Sequence, residues 1–332
     1  MKKVRLGIIG TGIAAWKLHL PALERLGDKF QVTAVCNHTE RKAAEFARRL
    51  GNVPYVLDYR ELLRRDDVEA VDIILPIHLN YRVTRDALEA GKHVIVEKPL
   101  AANLRDARKM IGFPGRYHRV MMVAENCRYQ SVYLKMAELL RRGIIGKPFA
   151  AVWNSFQRMS TDNVYAQTRW RIRHRYRGGF LTDGGVHNAA VLRMLFGDVT
   201  AVSSLTGSVN PKIGKMDALS LLFATRRGVQ GTFNLFFTTI GYSERRLTVF
   251  GRKGTLIAED NIIRVKRSGN RDVTLDCVDD GGFRAELLDF YRGIRQGKEV
   301  RSSFREGYQD LALILDALTA GRRGPARVTR SS

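Results

Sequence analysis

Val94-Ile95-Val96-Glu97-Lys98-Pro99 reads as a buried parallel strand closed by a charged pair and a stop. Three consecutive β-branched residues suit a strand covered on both faces. Pro99 keeps Lys98 extended and lets no strand continue. A lysine at the carboxyl end of such a strand stands on the edge where open α/β sheets take ligands. Glu97 and Lys98 could equally be the polar end of an ordinary strand, so the surrounding chain decides.

Upstream and just downstream, strand and helix alternate. Strands are expected at Val4–Ile9, Gln31–Cys36, Val53–Leu57, Val71–Leu75, Lys92–Glu97 and Arg119–Val123. Between them fall helical segments: one from Gly12 to Leu26 disturbed by Pro21, then Glu40–Leu50, Tyr59–Arg65, Tyr81–Ala90 and Leu104–Ile111. Short connections in this alternation predict a doubly wound parallel sheet, an α/β domain over residues 1–123.

From residue 124 the pattern changes. Helices are expected at Ser131–Arg142 and Asp183–Phe196, followed by a run of strands with hairpin glycines at Arg227-Gly228 and Lys253-Gly254. Helices at Arg284–Gln296 and Gly307–Ala320 close the chain. Residues 124–332 thus predict an α+β domain on a large, mostly antiparallel open sheet. The basic stretch after Gly321 reads as a frayed tail.

Composition narrows the class. In 332 residues, 45% hydrophobic, no apolar run reaches membrane-spanning length, and no signal region follows Met1-Lys2-Lys3. Three scattered cysteines (Cys36, Cys127, Cys277) form no metal-ligand pattern, so no metal is expected and the thiols read as reduced in a cytoplasmic protein. The net charge of +23 favours anionic small molecules as partners. It is spread along the chain, which disfavours a nucleic-acid arm; an arginine-rich composition alone would also produce it.

Three motifs carry chemistry. Gly10-Thr11-Gly12-Ile13-Ala14-Ala15 follows a strand and opens a helix. Gly10 permits the turn, Gly12 a close approach to a pyrophosphate, Ala15 close helix packing, and the helix N-terminus favours an anion. Where NAD-binding chains place an acid after the second strand, this one has Asn37, followed by His38, Thr39, Arg41 and Lys42. An uncharged Asn does not repel a 2′-phosphate, which favours NADP(H) over NAD; Arg41 and Lys42 read equally as a solvated helix face. Finally, Asp183 and His187 are four apart and share a helix face. A carboxylate beside an imidazole suits a general base. Asp183 as an N-cap and His187 as a packed core residue are the structural alternatives.

In order and spacing these residues resemble the glucose–fructose oxidoreductase/inositol dehydrogenase/MocA (Gfo/Idh/MocA) family. The likeness includes Leu75-Pro76, Ala90-Gly91-Lys92-His93, Glu125-Asn126-Cys127-Arg128-Tyr129 and Gly251-Arg252-Lys253-Gly254-Thr255, and spans nearly the whole chain. It implies an N-terminal Rossmann domain, a C-terminal open-sheet domain and a nicotinamide in the cleft between them. It further implies that Lys98 contacts the substrate hydroxyl, His187 exchanges its proton and Asp183 binds substrate or orients the histidine. Gly10, Gly12, Ile13, Ala15, Asn37, His38, Thr39, Arg41, Pro76, Asn80, Glu97 and Lys98 are the expected cofactor contacts. Lys98, Arg128, Trp170, Arg171, Asp183 and His187 are the expected substrate contacts. Three departures stand out: Asn37 replaces the NAD-type acid, Ala190 replaces an acid three residues after the histidine, and Asn80 replaces a loop histidine, with His78 two residues earlier.

The expected activity is hydride transfer between NADP(H), or NAD(H), and a CH–OH/ketone pair of a sugar, cyclitol or related polyol, in a homodimer or homotetramer. The alternatives are a dinucleotide-sensing regulator on the same scaffold and a lyase or glycosidase that regenerates its cofactor. Between Arg169 and Arg177 arginine occupies every second position; an extended segment would set all five on one side, toward an acidic sugar or toward solvent.

Overall fold

The structure, a computed structural model, describes residues 2–173 and 176–322. His174 and Arg175, in the middle of the arginine alternation, and the tail expected to fray lie outside the described residues. By compactness the chain forms two units. The first is the chain up to Gln130 together with Asp280–Gln309; the second is Ser131–Asp279 with the chain from Asp310 onward.

In the first unit, strands β1 (Val4–Ile9), β2 (Phe30–Cys36), β3 (Tyr55–Val56), β4 (Ala70–Ile73), β5 (His93–Glu97) and β6 (Met121–Ala124) form one all-parallel sheet in the order β3-β2-β1-β4-β5-β6. Helices α1 (Leu20–Glu24), α2 (Glu40–Arg49), α3 (Tyr59–Leu63), α4 (Asn80–Glu89) and α5 (Leu104–Met110) connect them. Val94, Ile95 and Val96 are all fully buried, as a strand covered on both faces requires. The strand order reverses between β1 and β4, the place where doubly wound sheets open a crevice at their carboxyl edge.

Ahead of α1, residues Ala15–His19 form a π-helical turn, closed by the Leu20 N–H on the Ala15 carbonyl. Pro21 has no N–H to give the Lys17 carbonyl, and its ring crowds that turn. The helix answers by widening for one turn instead of breaking, so the disturbance expected at Pro21 appears on its N-terminal side.

The sequence reading set one boundary, after residue 123; compactness divides the chain at three points. The reason lies in α9 (Phe283–Gln296). Its Leu287, Phe290 and Tyr291 are buried in the core of the first unit, with Tyr291 against Phe30 at 5.8 Å between ring centroids. Each such side chain contributes roughly 1.5–3 kcal/mol by burial, enough to hold a distant segment against the sheet.

The second unit carries β7 (Pro148–Phe156), β8 (Val199–Gly207), β9 (Ala218–Thr225), β10 (Gln230–Phe236), β11 (Glu244–Gly251), β12 (Gly254–Glu259), β13 (Ile262–Lys266) and β14 (Val273–Asp276). Their order is β14-β13-β12-β11-β7-β10-β9-β8, antiparallel throughout except for β7 with β10. One register row, Leu221–Phe233–Trp153–Leu247–Ala258–Ile263, runs across the inner face and is buried. The helices of this unit are α6 (Ser131–Arg141), α7 (Arg169–Ile172), α8 (Phe180–Phe196) and, from Asp310, α10 (Phe304–Arg322). Gly184 and Gly185 bring α8 close to Phe237, Leu235 and Ile314, which a Cβ would meet.

Gly231 is the tightest glycine of the sheet. A Cβ there would overlap the backbone carbonyl of Ala151 on the neighbouring parallel strand. Gly231→Ala is therefore expected to lower stability by about 3 kcal/mol, read as a fall in the urea midpoint at unchanged slope. An unchanged midpoint would show that the strands part at no cost.

Candidate active site

The glycine turn leaves β1 under tight constraint. Gly10 has φ +102°, donates its N–H to the Cys36 carbonyl (2.8 Å), and would overlap the Ile74 carbonyl if it carried a Cβ. Gly12 is the opposite case: exposed, with nothing within 4 Å of where a Cβ would stand. A helical turn begins at Ile13, directly after that open space, while Ala15 is buried. An open cradle beside a helix N-terminus fits a pyrophosphate.

Asn37 laces this turn to the next strand–helix junction. Its Nδ2 donates to Thr11 Oγ1 (2.9 Å) and its Oδ1 accepts from the Thr39 N–H (2.9 Å). Thr11 Oγ1 in turn donates to the Lys42 carbonyl (3.1 Å). His38 and Arg41 are exposed beside it and Thr39 is half-buried. Burial is the main cause, ahead of the carboxylates of Asp58 and Glu61, that pushes the Cys36 thiol up to about 12, which leaves it unreactive.

At the end of β5, Glu97 and Lys98 are half-buried and the Lys98–Pro99 peptide is cis. Asn80 lies beneath it, fully buried at the start of α4, and its Nδ2 donates to the carbonyls of Glu97 (2.8 Å) and Pro99 (2.9 Å). Pro76 is half-buried and His78 exposed in the same loop. Asn80, expected as a cofactor contact, thus holds the backbone that presents Lys98. Arg128 is buried and pairs with Glu306 (3.1 Å).

Behind the strand end lies a cluster that the sequence reading passed over. His19, buried on the π turn, sits between two carboxylates: Nδ1 is 2.7 Å from Asp72 Oδ2 and Nε2 is 2.8 Å from Glu97 Oε1. Burial alone would push the imidazole down; Asp72 and then Glu97 more than reverse this, and His19 is held well above its ordinary value. Buried Glu286 of α9 is likewise held well above the usual carboxylate range, by burial first, opposed by His19 and reinforced by Glu97, Glu125 and Asp72. The signal was present in the sequence: an aspartate inside the apolar strand Ala70–Ile73 demands a buried partner.

In the second unit, α8 starts after Gly178 (φ +88°) and Gly179 (φ +52°). Gly179 is the N-cap, so Asp183 stands inside the helix and the capping alternative falls. Thr182 Oγ1 donates to the Arg177 carbonyl (2.6 Å) and fixes the entry. Asp183 is buried and accepts from Arg171 Nε (2.8 Å), with His187 one turn on and half-buried. The Arg171 guanidinium lies 4.0 Å from the centroid of Trp170, and 5.0 Å from that of Tyr165. Burial, then the Asp183 charge, raises the Tyr176 hydroxyl. Ala190 is fully buried, so an acid at that position would have entered an apolar interior. Over its described start the arginine alternation is not extended: Arg169–Ile172 is a helical turn, where alternate residues do not share a side.

A six-stranded parallel sheet in this order, with its glycine turn at the reversal point, defines a dinucleotide-binding protein of the doubly wound class. Residues 4–125 match the family described as an oxidoreductase family with an NAD-binding Rossmann fold, and residues 133–257 match the GFO/IDH/MocA C-terminal domain. The chain belongs to the Gfo/Idh/MocA family of NAD-binding oxidoreductases. It is similar to the uncharacterized protein YMR315W of Saccharomyces cerevisiae, 34% identical over 89% of this chain and 88% of that one. It is also similar to a D-apiose dehydrogenase of Paraburkholderia graminis, 26% identical over 98% of this chain and 89% of the other. The crystal structure of an oxidoreductase from Thermotoga maritima superposes with a TM-score of 0.92 at 34% identity, covering 96% of this chain and 97% of that one. Among the described residues no helix is long and apolar enough to cross a membrane.

Asn80→Ala would leave a buried carbonyl, that of Pro99, and a part-buried one, that of Glu97, without this donor. It is expected to lower stability by about 2–4 kcal/mol, visible in a urea melt. A loss below about 0.5 kcal/mol would show that the Glu97–Pro99 backbone holds its shape without Asn80.

Proposed function

We propose that this oxidoreductase transfers hydride between NADP(H) and a CH–OH/ketone carbon of a sugar, cyclitol or related polyol. The observation that carries the reading is the placement of two elements on one sheet edge. The open cradle at Gly12 ends β1, and Lys98 ends β5, with only β4 between them. Two strand spacings put them roughly 10 Å apart, the scale of a dinucleotide's reach from pyrophosphate to nicotinamide. The named activity of the similar D-apiose dehydrogenase supports a sugar-type substrate.

When bound, the nicotinamide supplies the hydride acceptor or donor. The chain's residues do the remaining work. Removing hydride from an alcohol carbon builds carbonyl character, so the hydroxyl proton must leave. The Lys98 ammonium stabilises the developing oxyanion, and His187 accepts the proton. Asp183, paired with Arg171, supports the face of α8 that carries His187. In the reducing direction the same groups return the proton. Asn37 adds no negative charge beside the ribose site and Arg41 stands exposed near it, which supports NADP(H) over NAD(H). The exposed Val152, Leu205 and Leu222 on the outer face of the eight-stranded sheet support a homo-oligomer, dimer or tetramer. The three thiols, none in a disulfide, are compatible with a cytoplasmic location.

Two measurements test this. Trp16, half-buried and edge-on to Phe46 (4.9 Å), should report dinucleotide binding by fluorescence. NADPH is expected to bind roughly tenfold or more tighter than NADH, a margin of about 1.4 kcal/mol, and Arg41→Ala should narrow it. Tighter NADH binding overturns the cofactor choice. In a screen of neutral and acidic sugars and polyols with NADP⁺, Lys98→Met should lower kcat by roughly 10²-fold or more while dinucleotide affinity stays within a few-fold. Tight dinucleotide binding with no turnover across the screen would favour a sensor instead.

A further inference from the structure

We propose that His19 is a positioning residue for the active-site lysine, its ring tying the Glu97 carboxylate, and with it the strand end that presents Lys98, to Asp72 in the middle of the sheet and to the π turn behind the glycine loop. The bearing on catalysis rests on the role given to Lys98 above; the positioning itself does not.

The geometry leaves the ring one role. Both nitrogens lie within 2.8 Å of a carboxylate oxygen. Carboxylates only accept, so both nitrogens must donate and the ring is an imidazolium. Neutral histidine has one N–H and would leave one carboxylate facing a lone pair. The neighbours are acidic on every packed element: Asp72 on β4, Glu97 on β5, Glu125 after β6 and Glu286 on α9, with the Phe283 ring at 6.4 Å as the apolar wall. Glu286 is held well above the usual carboxylate range, and the acids that the imidazolium touches are Asp72 and Glu97.

The linkage runs through the chain. Glu97 is covalently next to Lys98, and Asn80 holds the backbone on both sides of that lysine. Asn80 fixes the main chain while His19 fixes the Glu97 side chain and the end of β5. His19 is also anchored on the turn that Pro21 forces into π form. The same ring therefore links the segment following the phosphate cradle to the strand end carrying the lysine. A folded-state value raised above 6.5 means that the stability His19 contributes is fully present below about pH 6.5 and fades only as pH rises through the higher folded value.

The test reads Lys98 directly. Trace acetylation with acetic anhydride, followed by peptide mass spectrometry, compares Lys98 with exposed Lys212 as internal reference. In His19→Gln the amide oxygen faces a carboxylate and one tie is lost. The relative labelling of Lys98 should shift by roughly threefold or more, equivalent to about half a pKa unit. Glu97→Ala, which keeps the His19–Asp72 pair and serves if His19→Gln does not fold, should produce a similar shift. On the Glu97→Ala background, His19→Gln should add nothing further, because the two residues act through one contact. ¹⁵N spectra of the wild type should show both His19 nitrogens protonated at neutral pH.

Lys98 labelling unchanged in folded His19→Gln and Glu97→Ala, or independent effects in the double variant, overturns the proposal. Turnover separates this from the reading it rests on. If Lys98 labelling shifts but Lys98→Met keeps wild-type kcat, the lysine's catalytic role fails and the positioning stands. If both hold, His19→Gln should lower kcat by roughly 10- to 100-fold with dinucleotide affinity little changed.

Discussion

A carboxylate in the middle of a central strand is the constraint on which the first unit depends. Asp72 is fully buried on β4, flanked by strands on both sides. An isolated charge there would cost several kcal/mol, more than most single contacts return. The structure meets that demand with an imidazolium, and the imidazolium demands a second carboxylate for its other nitrogen. Glu97 supplies it. Three residues far apart in the chain are thus fixed by one chain of electrostatic needs, and the end of β5 is fixed with them. Asn80 completes the arrangement from the backbone side, with one amide group reaching two carbonyls.

Most of the fold could be read in the sequence because hydrophobic period and punctuation agreed over long stretches. Val94–Val96 announced a strand covered on both faces, and Gly10 with Gly12 announced the turn at the start of the first βαβ unit. The parallel sheet and the mostly antiparallel second sheet follow from that alternation. What local pattern could not tell was which unit a late helix joins. Nothing within Phe283–Gln296 says where its apolar stripe docks; that depends on a surface built far earlier in the chain, around Phe30. The arginine alternation failed for the opposite reason. A period of two suggests a strand, but Trp170 and the partner Asp183 draw Arg171 into a helical turn instead.

The candidate site was legible in part, and the division is physical. Residues named for backbone reasons, such as Gly10 and Gly12, declare themselves by what they lack. Residues named by type, such as Asn80 and Arg128, carry no mark of whether they face a ligand or the interior. Asn80 proves to bond the backbone around Lys98, and Arg128 to be buried and paired with half-buried Glu306. His19 escaped notice because a single histidine in an apolar helix is so often plain core. Asp72, one strand away, was the informative residue, since an acid within a continuous apolar strand has few explanations.

The arginine excess divides along the same line. Some of these side chains tie distant segments together, from buried or half-buried positions. Arg193 on α8 donates to Asp310 at 2.6 Å and to Asp198, and Arg295 on α9 reaches Glu69 and the carbonyls of Lys2 and Lys3. Such joints favour arginine over lysine, because a planar group with five donors can hold two or three acceptors at once. These joints bring acids and arginines together in local clusters, with Glu69 shared between Arg5 and Arg295 and Arg193 between Asp198 and Asp310. The surplus behind the net +23 includes cations such as Arg41, exposed at the first turn of α2. Exposed charges of this kind act over about a Debye length and are screened as salt rises. Buried, acid-paired arginines and exposed arginines are therefore separate populations within one composition: the first tie elements of the fold together, and the second carry the surplus charge.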